Sequence, residues 1–91
     1  MRFLRAFDES FCQAVDYYGG IDGKLASRFV DAVERAQMEI TRFPKIGKSV
    51  KTYRVLLLKE FPYSLCYYEN PPGELVGLVL FHHEQKEPRL E

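Results

Sequence analysis

In the first half of the chain, large apolar side chains recur three or four positions apart. Phe3, Phe7, Phe11, Val15 and Tyr18 form one series, widened by Leu4 and Ala14, with Asp8, Glu9, Gln13 and Asp16 between them. That spacing keeps one face of an α-helix apolar and predicts a helix over 2–18. Gly19-Gly20-Ile21-Asp22-Gly23 interrupts it, because glycine suits the residue that closes a helix and Asp22 suits the residue that opens the next. A second series, Leu25, Phe29, Val33, Ala36, Ile40 and Phe43, predicts a helix over about 23–43 that Pro44 stops. Asp31–Arg35 and Glu39–Arg42 are opposite-charge pairs on its polar side. A five-residue connection makes these helices antiparallel neighbours.

Beyond a basic, glycine-containing loop at Lys45 to Ser49 the period changes. Runs rich in β-branched and aromatic residues predict strands at about 51–59, 63–70 and 75–83. Pro71-Pro72-Gly73-Glu74 is a tight turn that pairs the last two, and the corner from Lys59 to Pro62 is short enough to pair the first two. The expected architecture is α+β: an N-terminal antiparallel helical hairpin packed on a three-stranded antiparallel meander, as a single domain over 1–91. In the last strand Leu75, Val79 and Phe81 alternate with Val76, Leu78 and Leu80, so both of its faces are apolar. Residues 55–58 are apolar on both faces as well. Two helices cover only one face of such a sheet. The other face is expected to hold an apolar contact surface, covered by another chain or by the tail 84–91.

Composition narrows the function classes. The 91 residues are 46% hydrophobic and 29% charged, which fits a globular domain, and the formal net charge is zero. Proteins that live on nucleic acid usually carry a basic excess, so nucleic acid is disfavoured as the primary ligand. No run approaches a membrane span or a secretory leader, and a cytoplasmic location is expected. Cys12 and Cys66 have no metal or redox spacing and read as two reduced, partly buried thiols. His82 and His83 are neighbours on a strand and point to opposite faces, so no shared metal, and no cofactor, is expected. Arg54 stands inside an apolar run, where it must find an anion, a carbonyl or a partner, with Glu60 and Glu69 as candidate carboxylates. Neither a nucleophile–base arrangement nor a phosphate-binding glycine loop is present.

A wider set of residues carries a family resemblance. The helical half holds Ala14-Val15-Asp16-Tyr17-Tyr18, Leu25-Ala26, Arg28-Phe29, Val33-Glu34-Arg35-Ala36, and Phe43-Pro44 with Gly47. The strand half holds Arg54, Leu57, Phe61-Pro62-Tyr63, Tyr67 and His83-Glu84-Gln85-Lys86-Glu87-Pro88. In order and spacing these residues resemble the ParE/RelE family of toxin-antitoxin toxins, and look closest to its ParE-like branch. The resemblance implies a toxin that inhibits growth or stabilises a plasmid by binding a cellular protein such as DNA gyrase, and that a cognate antitoxin neutralises. Arg54, Phe61, Tyr63, His83 and Lys86 would contact partners. The RelE-like alternative is a ribosome-dependent mRNA endoribonuclease, for which Arg54, Lys86 and His83 are the catalytic candidates. In that branch an arginine is usual where Lys86 stands and an aromatic where Leu90 stands, and a lysine lacks the planar fork of an arginine. The family's opening strand is expected to be missing or cut to two or three residues, exposing a sheet edge. That departure supports two further readings: a non-toxic relative acting as an interaction domain, and a homodimer through the open sheet face or edge.

Overall fold

The computed structural model describes residues 1–70 and 73–84. Two helices, α1 (Arg5–Ile21) and α2 (Gly23–Arg42), pack on one side of a sheet of five strands. The strands are β1 (Arg2–Phe3), β2 (Lys48–Val50), β3 (Tyr53–Leu57), β4 (Tyr63–Asn70) and β5 (Glu74–His82), in the order β1-β5-β4-β3-β2. The expected three-stranded meander is β3-β4-β5, antiparallel throughout. It gains a short strand at each edge: β1 runs parallel to β5, and β2 runs antiparallel to β3. The α+β fold of a helical hairpin on a sheet stands, and the opening strand is very short rather than missing. Pro71, Pro72, Lys86, Leu90 and all but the first residue of the tail 84–91 lie outside the described residues.

Phe3 carries helical spacing yet belongs to β1. Arg2 and Phe3 pair with Val76 and Gly77, the Leu4 amide donates to the Gly77 carbonyl at 3.0 Å, and α1 starts only after Leu4. Gly77 permits this approach, since a Cβ there would stand 2.6 Å from the Phe3 ring. At the far end α1 runs through Gly19 and Gly20 to Ile21, instead of breaking at the glycines. Two helical glycines cost roughly 1 kcal/mol each relative to alanine, a penalty that the packing of Tyr18 in the core outweighs. The connection between the helices is therefore Asp22 alone, not five residues. Asp22 is extended, its amide donates to the Tyr18 carbonyl at 2.9 Å, and its carboxylate accepts from the Lys24 amide at 2.9 Å. One residue closes α1 and opens α2.

The core lies between the hairpin and the sheet. Phe29 is fully buried and joins Tyr18, Phe61 and Tyr63, with ring centroids 5.1–5.3 Å from its own. Edge-on and tilted contacts of this kind suit aromatic quadrupoles. Phe3, Phe7 and Phe11 continue the row toward β1. A β-bulge separates the pair Cys66–Val79 from the pair Tyr67–Gly77 and leaves Leu78 without an opposite residue. The strict alternation read from 75–83 therefore fails: the bulge puts Leu75 on the helix side with Leu80, while Val79 and Phe81 face away. On the far face only Leu57 is strongly exposed, at 66%. Ser64, between Leu57 and Phe81, and Cys66, between Val55 and Val79, are both buried. The open apolar face is accordingly narrower than the sequence suggests.

Because β1 is so short, α1 supplies part of what a longer strand would give β5. Ser10 Oγ donates to the Phe7 carbonyl at 2.9 Å and accepts from the Leu80 amide at 3.0 Å. Ser10→Ala leaves that amide without its partner and should lower stability by about 1–3 kcal/mol, measured by urea unfolding with an unchanged m-value.

Candidate functional site

Arg54 and Tyr67 are directly opposite each other across β3 and β4. Both reach over the sheet to the chain that leaves α2. The Tyr67 hydroxyl donates to the Pro44 carbonyl at 2.7 Å and accepts from the Gly47 amide at 2.9 Å. Arg54 Nη1 donates to the Gly47 carbonyl at 2.9 Å and, more weakly, to the Lys45 carbonyl at 3.4 Å. The arginine inside the apolar run thus satisfies itself on backbone oxygens, the second of the three solutions open to it. Neither Glu60 nor Glu69 forms an ion pair with it among the described residues. Gly47 is a matter of space: a Cβ would stand 2.8 Å from the Tyr67 ring and 3.1 Å from Arg54 Cβ. Burial pushes the Tyr67 phenol above its ordinary 10.0, while the bond from the Gly47 amide and the Arg54 charge act against that rise.

This clasp fixes the basic segment. Lys45 is exposed between the clasped Pro44 and Gly47, and Lys48 begins β2. Lys51, also exposed, takes φ 55° in the two-residue turn joining β2 to β3, a conformation that normally favours glycine. Lys45 and Lys48 were expected in one loop; Lys48 and Ser49 instead pair with Val55 and Arg54. Beside the clasp, Ser49, Lys51, Tyr53, Arg54, Tyr68 and Glu69 surround a polar groove of about 200 Å³. A second groove, of about 130 Å³, lies between α2 and the end of β3. Ala32, Ala36, Leu56, Leu57 and Leu58 make its apolar walls, and Arg35, Glu39 and Lys59 its charged ones.

The other candidate residues do not converge on Arg54. Phe61 is in the core at 8% exposure, and Tyr63 is half-buried against Phe29 with an edge contact to His82. His83 Nε2 is 3.0 Å from Ser64 Oγ, and its amide donates to the Pro62 carbonyl at 2.9 Å. His83 thus ties the end of β5 to the 61–63 corner, and Lys86 lies outside the described residues. Sequence reasoning quoted Gly47 and Tyr67 without giving either a role. The available signal was chemical, since a tyrosine deep in an apolar strand must place its hydroxyl on a partner. The two thiols also part company: Cys66 is buried, but Cys12 is exposed on α1 rather than partly buried.

No protein-family model and no curated protein sequence matches this chain. Among solved structures, a chain of the one described as the chromosomal ParDE TA system from P. aeruginosa is similar over 89% of this chain and 91% of its own length. The TM-score is 0.75 at 17% sequence identity. The chain has the fold of that ParDE component. The family expectation read from the sequence is thereby met in architecture: an α+β helical hairpin packed on a sheet, as in a ParE-like neighbour. Among the described residues no helix is long and apolar enough to cross a membrane.

Two measurements follow from this geometry. Tyr67→Phe should cost about 1–3 kcal/mol by leaving the Gly47 amide unpaired, and Gly47→Ala a similar amount by forcing the ring aside, both read by denaturant unfolding. Burial pushes the Cys66 thiol from 9.0 up to about 12, so the folded protein holds that proton more tightly than the unfolded chain. Its contribution to stability is intact below pH 9.0 and is lost as pH rises toward about 12. Mass spectrometry after iodoacetamide treatment at neutral pH should find Cys12 alkylated and Cys66 untouched until denaturant is added.

Proposed function

We propose that this chain is the toxin of a type II toxin-antitoxin pair, acting in the cytoplasm by contact with a cellular protein and held inactive by a cognate antitoxin. The observation that carries this reading is the match of fold, over nine-tenths of both chains, to a component of a ParDE system. Protein contact is preferred over RNA cleavage because of where the cleavage candidates stand. A cleaving site needs a proton relay and free cations around one phosphate. Here Arg54 Nη1 is engaged by backbone carbonyls, and His83 Nε2 is held at Ser64. DNA gyrase is the target that the ParE-like resemblance suggests.

Induced expression in a bacterial host tests this reading. The expected outcome is growth arrest with altered plasmid supercoiling or DNA damage and with intact mRNA. Fragmented mRNA would favour the RelE-like reading and would place the polar groove beside Arg54 at the reaction. Unimpaired growth, with the protein folded by circular dichroism, would remove the toxin reading and leave an interaction domain.

A further inference from the structure

The zero net charge conceals a division within the molecule. Of the 13 cations and 13 anions, seven cations but only one anion fall between Arg35 and Lys59. That segment is the second half of α2, the clasped turn, β2 and β3, which together form one edge of the sheet and the helix beside it. Six of its seven cations are exposed, and Arg54 is the half-buried exception. The same segment holds Met38, Phe43, Ile46 and Leu57, each at least 41% exposed. Exposed cations interleaved with exposed apolar side chains are the complement of a ligand that is both acidic and apolar.

The groove between α2 and β3 lies within this segment. Ala32 and Ala36 are small and buried, so an inserted side chain can approach the helix closely. Leu57 is the apolar lip on the strand side. Arg35 and Lys59 are the exposed cations of the lining, against the single carboxylate of Glu39. β2 stops opposite Val55, so Leu56 and Leu57 extend past it on that edge of β3. Nucleic acid would use the cations but has no use for Met38 and Leu57, and its bases call for exposed aromatic platforms, of which the segment offers only Phe43. A protein segment uses both sets.

We propose that the groove between α2 and β3 is the docking site for an acidic, amphipathic segment of another protein. The segment would set an apolar side chain between Ala32, Ala36 and Leu57 and place carboxylates against Arg35 and Lys59. This inference rests on the reading of the chain as a partner-controlled protein, and it names the chemistry of the partner's contact. Apolar burial supplies the affinity, and the basic rim selects for acidic sequences and speeds encounter.

The test uses the full chain, isotope-labelled for NMR, and three probes. The first is a helical peptide of about 16 residues with leucine anchors four apart flanked by glutamates. The second is the same peptide with every glutamate replaced by lysine, and the third is a single-stranded RNA oligonucleotide of about equal charge. The expected result is binding of the acidic peptide alone, with shifts confined to amides of 32–43 and 56–59. Affinity should fall several-fold between about 50 mM and about 500 mM salt. Arg35→Glu combined with Lys59→Glu should weaken binding about tenfold or more, and both side chains are exposed, so the fold is kept. Equal binding of the lysine peptide, tighter binding of the RNA with shifts around 44–54, or shifts elsewhere on the chain would each overturn the proposal. Growth arrest on expression with no peptide preference would reject this docking site while leaving the toxin reading intact. Peptide preference without growth arrest would do the reverse.

Discussion

The architecture turns on a single phenol. Tyr67 is fully buried in the central strand, and its hydroxyl meets both the last carbonyl before the turn, at Pro44, and the amide that restarts the chain, at Gly47. Hydrogen bonds made in a low-dielectric interior are costly to lose, because water cannot replace them. Arg54, directly across the ladder, secures the same stretch by its carbonyls. Together they decide where α2 hands over to the sheet edge. Without that hand-over β2 would have no reason to lie beside β3, and the lysines of the turn would not sit next to the groove.

Much of this was legible in the sequence, for identifiable reasons. The helices follow from a period of three and four because their buried face is continuous, from Phe7 to Tyr18 and from Phe29 to Ile40. The long strands follow from runs between strong turn signals. Three features were not legible. Helix α1 ignores its glycines because Tyr18 packs against Phe29 and Phe61, a tertiary contact that local propensity does not contain. The bulge opposite Cys66 moves Leu75 to the core side, and a strict period of two cannot foresee an extra residue. The edge strand β1 forms only because Gly77 admits Phe3, a pairing far apart in sequence.

The candidate site divides in the same way. That Arg54 needed a partner was readable from its apolar neighbours, but the choice of carbonyls over carboxylates depends on the Gly47 turn coming within 2.9 Å. Phe61 and Tyr63 read equally well as contact or core residues, and the crowding of rings around Phe29 draws them inward. Summed charge was misleading at the level that matters. A neutral chain can still present one basic side when its acids lie on α1, at the β4–β5 turn and beyond the Phe-Pro-Tyr corner. Electrostatic selection of partners depends on that distribution and not on the total. The fold shared with a ParDE component and the basic, apolar-studded edge thus bear on one function from independent directions.

Amide hydrogen exchange at Gly47 tests the central claim most directly, because this N–H lies in a short turn yet is bonded to a buried phenol. The account predicts exchange as slow as in the strands of the sheet, rising to the rate of an open loop in Tyr67→Phe while the β4–β5 amides stay protected. A Gly47 amide that already exchanges at the free rate in the unaltered protein would contradict it, since the turn would then be held by something other than Tyr67.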